Sequence, residues 1–307
     1  MSTKGFVYFA AETTSQPDLA NTSLGGSRMQ NLYIDIAKNI GKTLLSLCVA
    51  CIMLGPFAWM VSTSFKHNWD AISFPPRLLP TEFAGFGAYL RVFQEIPFFQ
   101  FFLNSTMVAV AVTIGVLFTS SLSGYIFAKF DFWGRDFLFI AVLATMMVPF
   151  QVIVIPVYII VNDFGLLNTL WALIIPRLVL AYGIFLVRQF MFGIPTDLIH
   201  AARIDGCSEF GIYARIILPL SKPVLSALGI FVFMFSWDDF LWPLLVIDDM
   251  GKRTLPLGLA LFRQVFGTLD WNVVMAGTLL SVLPVLLVFF VLQRNFIQGI
   301  TLTGFKG

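Results

Sequence analysis

Long apolar runs alternate with shorter polar segments over most of the chain after residue 40. Each run has about 18 residues or more, which is the length that an α-helix needs to cross about 30 Å of hydrocarbon. The pattern predicts six membrane-spanning helices with boundaries that are soft by several residues. The predicted spans are residues 43–63, 104–128, 137–161, 170–187, 222–247 and 273–292. We therefore expect an all-α membrane protein with a six-helix domain over 43–292 and tails over 1–42 and 293–307.

The composition supports this expectation and narrows the function. Of 307 residues, 58% are hydrophobic and 12% are charged, whereas a soluble domain would carry about twice that charged fraction. The net charge is only +2, so the chain lacks the electrostatic footprint of a nucleic-acid-binding protein. Its many aromatic residues lie within apolar runs, where we expect membrane lipid and helix packing as their surroundings.

An even number of spans places both termini on the same side of the membrane. If that side is cytoplasmic, 12 of the 19 Lys and Arg residues lie inside, six lie outside, and Arg177 lies within span four. This excess has the sign of the positive-inside rule. We therefore expect a bacterial inner-membrane protein with cytoplasmic termini.

The longest mixed polar segment between two apolar runs is 195–223. It predicts two short helices separated at Gly206, because glycine suits the left-handed position that often follows a helix. We expect Thr196 and Asp197 to cap the first helix and Ser208 to cap the second.

This segment resembles the cytoplasmic coupling loop of ABC-importer permeases, whose pattern is Glu-Ala-Ala, three residues, Gly, and later Ile-x-Leu-Pro. The matching positions are Ala201, Ala202, Asp205, Gly206, Ile216, Leu218, Pro219 and Pro223. His200 stands where the family usually has Glu, and the two alanines are expected to form a flat face that another protein can approach. The resemblance implies contact with an ATPase subunit through His200, Ala201, Ala202, Asp205, Gly206 and Phe210.

Two other segments resemble the carbohydrate permeases of this class. One is Ser236–Pro243, where the third position is usually Asn, and the other is the C-terminal Gln293–Gly307. The resemblance is closest to the smaller, maltose-type permease subunit. It implies a second permease, two ATPase subunits that carry ATP and magnesium, and an external substrate-binding protein.

Four residues are candidates to line the substrate path. Arg177 lies near the middle of span four, where a charge costs roughly 2.5–3.5 kcal/mol and should face protein or water. It could meet a substrate group, or it could form an internal ion pair with Asp238 or Asp239. Trp237 could stack on a sugar or lie in the aromatic belt at the membrane interface, and for Trp242 we favour the belt.

Asn104 and Ser105 open span two, where we expect them to cap the helix at the membrane interface. Gly41-Lys42-Thr43 resembles the end of a phosphate-binding loop, but Ile36 stands where that loop needs its first glycine. We therefore expect no bound cofactor, no metal and no ATP hydrolysis in this chain.

Three alternatives stay open at this point. The importer could carry an anionic sugar or sugar phosphate, with Arg177 recognising the charge. The chain could be an ATP-independent secondary transporter with an ion relay through Arg177 and the two aspartates. A membrane-embedded enzyme is a third class, although the sequence offers no residue set for catalysis.

Overall fold

The computed structural model describes the backbone over residues 20–264 and 270–303. Side chains are described at residue 36, over 38–262 and over 270–293. The parts of the predicted N-terminal and C-terminal tails over 1–19 and 304–307 therefore lie outside the described residues. Within the described backbone every regular element is a helix, as expected for an all-α protein.

Six helices form over the described residues 20–163. They are α1 (Ala20–Ser64), α2 (Asn68–Ala71), α3 (Gly87–Glu95), α4 (Phe98–Lys129), α5 (Arg135–Thr145) and α6 (Phe150–Asp163). The second half begins with α7 (Leu170–Ile174), a 3-10 turn (Ile175–Arg177), α8 (Ala181–Phe192), α9 (Asp197–Ile204) and α10 (Glu209–Ile212). It continues with a π-helical turn (Tyr213–Ile217), α11 (Leu218–Leu220), α12 (Lys222–Trp237), α13 (Leu241–Val246), a 3-10 turn (Met250–Lys252), α14 (Leu255–Leu259), α15 (Leu261–Gln264) and α16 (Trp271–Thr303).

Three continuous helical stretches of the described chain are long and apolar enough to cross a membrane. They are Lys38–Ser64, Phe98–Lys129 and Trp271–Gln293. Three further candidates are pairs of helices bent against each other, by 98° between α5 and α6, by 42° before α8 and by 76° before α12. The structure therefore offers between three and six spans by length and composition, and the number six stays a prediction.

The predicted span over 222–247 is wrong in its second half. α12 ends at Trp237, and α13 is a separate short helix that begins at Leu241. The apolar partner of α12 is instead the preceding stretch Glu209–Leu220, across the bend at Ser221. Proline explains the bend at Ser221, because Pro223 lies in the first turn of α12 and has no amide hydrogen to continue the preceding helix.

The chain divides into two units, 1–59 and 60–307. In the first, the described side chains are mostly exposed and belong to α1. In the second, α4, α8 and α12 enclose an apolar core whose fully buried members include Val187 and Leu228. These helices approach closely, since a Cβ atom added to Gly183 would lie 2.4 Å from the hydroxyl oxygen of Ser120.

The segment between α1 and α4 is ordered, as the sequence predicts, and polar contacts tie it to the start of α16. Asp270 accepts hydrogen bonds from Asn68 at 2.8 Å and from Arg91 at 2.6 Å. Asn272 also donates to the backbone oxygen of Lys66 at 3.1 Å. This segment therefore belongs to the folded 60–307 unit.

Candidate functional site

The 195–223 segment, which we name the coupling loop, turns sharply at Gly206. Gly206 has φ +80°, as predicted for a left-handed residue after α9. Its amide donates to the carbonyl of Arg203 at 3.1 Å, and the amide of Cys207 donates to that of Ala202 at 2.9 Å. These two bonds form a Schellman motif, which pairs the last carbonyl groups of α9.

The predicted caps of the loop helices have different outcomes. Ser208 caps α10, because its hydroxyl accepts a hydrogen bond from the amide of Gly211 at 3.2 Å. The cap predicted at Thr196 is wrong, since its side chain makes no capping hydrogen bond. Thr196 has φ −70° and ψ −22°, whereas a capping residue needs an extended backbone. Asp197 lies in the first turn of α9, where its charge suits the helix dipole.

Most of the predicted ATPase-contact residues lie on the exposed face of the loop. The exposed members are His200, Ala201, Asp205, Gly206 and Phe210. Ala202 is the exception, because it is only 4% exposed and packs in the apolar core. The expectation of one flat face made by both alanines is therefore wrong: neighbouring residues of a helix point about 100° apart.

Sequence reasoning predicted Phe210 as a contact residue of this face but missed a second exposed apolar residue, Ile204. Ile204 is 87% exposed and Phe210 is 71% exposed, although both lie in a polar loop. Exposed apolar side chains rimmed by polar residues are typical of a protein-protein contact. The available signal was the isolated Ile between Arg203 and Asp205.

An ion pair joins the two loop helices across Gly206. Arg203 Nε donates to Glu209 Oε1 at 2.6 Å, and this hydrogen bond is the main cause that raises the pKa of Arg203. Both side chains are largely exposed, so solvent screening leaves the pair only a small contribution to stability. The buried anchors Ile199 and Ile212 fix the loop more firmly.

Arg177 and Asp239 form an internal ion pair, with 2.8 Å between a guanidinium nitrogen and a carboxylate oxygen. Arg177 also lies 5.6 Å from the centre of the Phe150 ring. The ion pair connects two places where the helices are interrupted. Arg177 lies in the 3-10 turn before α8, and Asp239 lies in the turn after α12. Of the two expected partners, the structure therefore selects Asp239, while Asp238 is exposed.

The two tryptophans are buried against other parts of the protein instead of facing lipid. Trp237 is 2% exposed and donates to the carbonyl of Ser281 at 3.0 Å. Trp242 is 1% exposed and donates to the carbonyl of Ala172 at 2.9 Å. The belt expected for Trp242 is therefore wrong, and in this conformation the Trp237 ring is covered rather than free to stack on a sugar. Both indoles find carbonyl acceptors, as buried tryptophans usually do.

Asn104 and Ser105 do not cap span two, because α4 already begins at Phe98. Asn104 donates to the carbonyls of Gly251 and Arg253 at 3.0 and 2.9 Å. Ser105 accepts from the amide of Leu255, the first residue of α14, at 2.7 Å. The pair therefore fixes the 250–255 segment against α4.

Comparison with known proteins assigns the chain to a protein family. The family model described as binding-protein-dependent transport system inner membrane component matches residues 120–302. That range covers more than half of the chain and contains the coupling loop. The chain belongs to this family. It is a permease subunit of an ABC importer and a multi-pass membrane protein.

Individual relatives of this permease support the assignment. The arabinooligosaccharides transport system permease protein AraQ of Halalkalibacterium halodurans is 36% identical over 247 residues, which are 80% of this chain and 86% of that one. The lactose transport system permease protein LacG of Rhizobium radiobacter is 34% identical over 84% of this chain and 92% of its own. The sn-glycerol-3-phosphate transport system permease protein UgpE of Salmonella typhi is 36% identical over 67% of this chain and 74% of its own.

A solved structure supports the fold of this permease. A chain of a bacterial ABC transporter involved in the import of the acidic polysaccharide alginate superposes with a TM-score of 0.74. The superposition covers 85% of this chain and 97% of that chain at 23% identity. The membrane-permease architecture predicted from the sequence is therefore confirmed at the level of the fold.

Proposed function

We propose that this permease forms half of the translocation path for a sugar or oligosaccharide. The observation that carries the proposal is the exposed coupling loop, with its Schellman turn at Gly206, in a chain related to sugar permeases over most of its length. The other half of the path comes from a second permease subunit. An external substrate-binding protein delivers the sugar, as the family description implies.

Two separate ATPase subunits drive the cycle. They bind ATP and magnesium and hold the exposed face of the coupling loop, with Ile204 and Phe210 as apolar contacts between polar neighbours. Closure of the ATPase dimer displaces the loop and switches the cavity between the two sides of the membrane. Nucleotide can shift this equilibrium only by binding one state better than the other.

The permease lies in the bacterial inner membrane with its coupling loop, N-terminal tail and C-terminal tail in the cytoplasm. The excess of Lys and Arg in the inside segments supports this orientation. A cytoplasmic loop is also required if ATP is to drive it. Accessibility of Cys207 to a membrane-impermeant thiol reagent in inverted vesicles, but not in right-side-out vesicles, would test this orientation.

The surroundings of Arg177 favour a neutral sugar over an anionic substrate. Asp239 already balances the charge of Arg177, so the guanidinium has little free charge with which to select an anion. The Arg177→Gln variant should therefore reduce the uptake of neutral and anionic substrates to a similar degree. A selective loss of anion uptake would contradict this and favour a charged substrate.

Two experiments test the proposal. When the permease is purified from its native membrane, the second permease and the ATPase should copurify with it and be identified by mass spectrometry. Proteoliposomes with the purified assembly and its binding protein should then take up at least one compound from a radiolabelled panel of arabinooligosaccharides, lactose and sn-glycerol-3-phosphate. Purification without an ATPase, or uptake of the phosphate alone, would contradict it.

A further inference from the structure

One face of α4 carries three polar or aromatic residues at regular intervals. Ser121, Tyr125 and Lys129 follow each other every four residues, which places them one above the other along the helix. Tyr125 is 3% exposed and Ser121 is 2% exposed. We name these three residues the α4 seat, because they contact Tyr213 inside the coupling loop and the backbone just before the loop.

The upper part of the seat, Ser121 and Tyr125, contacts the loop just after α10. Tyr213 is the first residue of the π-helical turn after α10. Its hydroxyl lies 2.7 Å from the hydroxyl of Ser121 in a buried hydrogen bond. Its ring centre lies 5.6 Å from that of Tyr125, with an angle of 33° between the ring planes. Tyr213 is therefore fixed by both a hydrogen bond and ring packing.

The lower part of the seat, Lys129, contacts the backbone just before the loop. The ammonium group of Lys129 donates to the carbonyl of Ile194, the residue just before the loop, and to that of Phe192 at 3.5 Å. Arg188 of α8 donates in return to the carbonyl of Phe127 in α4 at 3.2 Å. The C-terminal ends of α4 and α8 thus cap each other, which is the placement that the helix dipole favours for cations.

The chain that follows α10 transmits a motion of the loop to α12 less directly than contacts with α4 do. α8 leads almost directly into the loop, but between α10 and α12 the loop contains a π-helical turn and a 76° bend. Helices often kink at π-helical turns. The α4 seat bypasses this bend, because it contacts the chain on both sides of α9 and α10.

We propose that Ser121, Tyr125 and Lys129 are positioning residues that hold α4 against the chain on both sides of α9 and α10, the two exposed helices of the coupling loop. Displacement of the loop then moves α4 as one body with it, instead of rocking only the helices of spans four and five, to which the loop is covalently joined. This inference rests on the proposed function, since it names where the motion received from the ATPase subunits goes.

Conservative variants test the upper part of the seat in the assembled transporter. In proteoliposomes, Tyr213→Phe and Ser121→Ala should lower the sugar taken up per ATP hydrolysed by about two- to tenfold, the range that loss of one net hydrogen bond allows. Because the two residues share one bond, the double variant should be no worse than either single variant. The matched control is Tyr158→Phe, on α6 and 36% exposed. A ratio equal to that of the control would overturn the proposal.

A cross-link tests the lower part of the seat and separates clamping from mere support of the fold. Cys48, Cys51 and Cys207 are exposed and free, and all three are first changed to Ser. In that background Lys129→Cys with Phe192→Cys should lower the uptake per ATP, and a short bismaleimide joining the two positions should restore it. Cross-linking that stops uptake while ATP hydrolysis continues would show that α4 must separate from the backbone before the loop, and would overturn the proposal.

The parent assembly distinguishes this inference from the proposed function. The probe is whichever radiolabelled compound of the panel the parent assembly takes up with ATP. If the parent shows no ATP-dependent uptake of any compound, the proposed function fails. If the parent transports and the variants keep its ratio, the α4 seat alone is contradicted.

Discussion

The turn at Gly206 allows one prediction to be worked through from its geometry. Gly206 has φ +80°, and a Cβ atom added there would meet no other heavy atom within 4 Å. A substitution at this position therefore creates backbone strain without a steric clash. Left-handed backbone costs an L-residue roughly 1–2 kcal/mol, and β-branched residues tolerate it worst.

The strain of Gly206→Val acts on the Schellman turn rather than on the fold. About 1–2 kcal/mol changes the ratio of two conformations by roughly 5- to 30-fold. The buried anchors Ile199 and Ile212 are unchanged, so the permease should still assemble with its partners. The exposed face of the loop, however, should adopt its native shape in a smaller fraction of molecules, and uptake per ATP hydrolysed should fall.

The assay is the ratio of sugar uptake to ATP hydrolysis in proteoliposomes, together with copurification of the ATPase. Gly206→Asn is the first control, because asparagine tolerates the left-handed region and should stay close to the parent. Gly87→Val is the second, at a glycine with equally open space but without positive φ. An unchanged ratio in Gly206→Val, or equal losses in all three variants, would refute the reasoning.

Three further predictions concern the ion pair and the polar contacts outside the loop. Arg177→Met should destabilise the assembly more than the double variant Arg177→Met with Asp239→Leu, because the single variant leaves Asp239 without its partner. The difference should be less than the roughly 3–5 kcal/mol that breaking a fully buried ion pair costs, and equal melting temperatures of the two variants would contradict this. Asn104→Leu should cost about 1–3 kcal/mol in thermal unfolding, because two carbonyls lose their donor. The backbone hydrogen bond from Thr81 lowers the pKa of Asp70, assisted by the Thr81 hydroxyl and nearby cations and opposed by burial. The stabilisation of the folded state by the Asp70 carboxylate is thus lost only as the pH falls through that lowered pKa. The difference in melting temperature between the parent and Asp70→Asn should stay constant from about pH 8 to about pH 5, and a loss of the difference above pH 5 would contradict the assignment.

The sequence predicted the loop better than the spans because the loop depends on local chemistry. Gly206 and Ser208 act through backbone geometry within a few residues, and both predictions are confirmed. The 76° bend at Ser221 is different, since hydropathy reports which residues are apolar and not where the backbone breaks. A run of apolar residues therefore hides a sharp bend, and span five was placed too far along the chain.

Two of the wrong predictions, the Asn104 and Ser105 cap and the interface belt for Trp242, share one physical cause, which is a partner far away in the sequence. Asn104 and Ser105 look like caps by local rules, but their partners lie about 150 residues further on. Trp237 and Trp242 have a polar group on an apolar ring whether they face lipid or protein. The carbonyl acceptors on α7 and α16 show that both rings face protein, and no sequence pattern around the tryptophans reveals these acceptors.

The central claim is that this permease moves solute only when separate ATPase subunits act on its coupling loop. The most direct measurement is sugar uptake into vesicles that contain either the purified chain alone or the complete assembly with its binding protein. We predict uptake by the assembly only when ATP is supplied, and none by the chain alone. Uptake by the chain alone, with no nucleotide present, would contradict the claim.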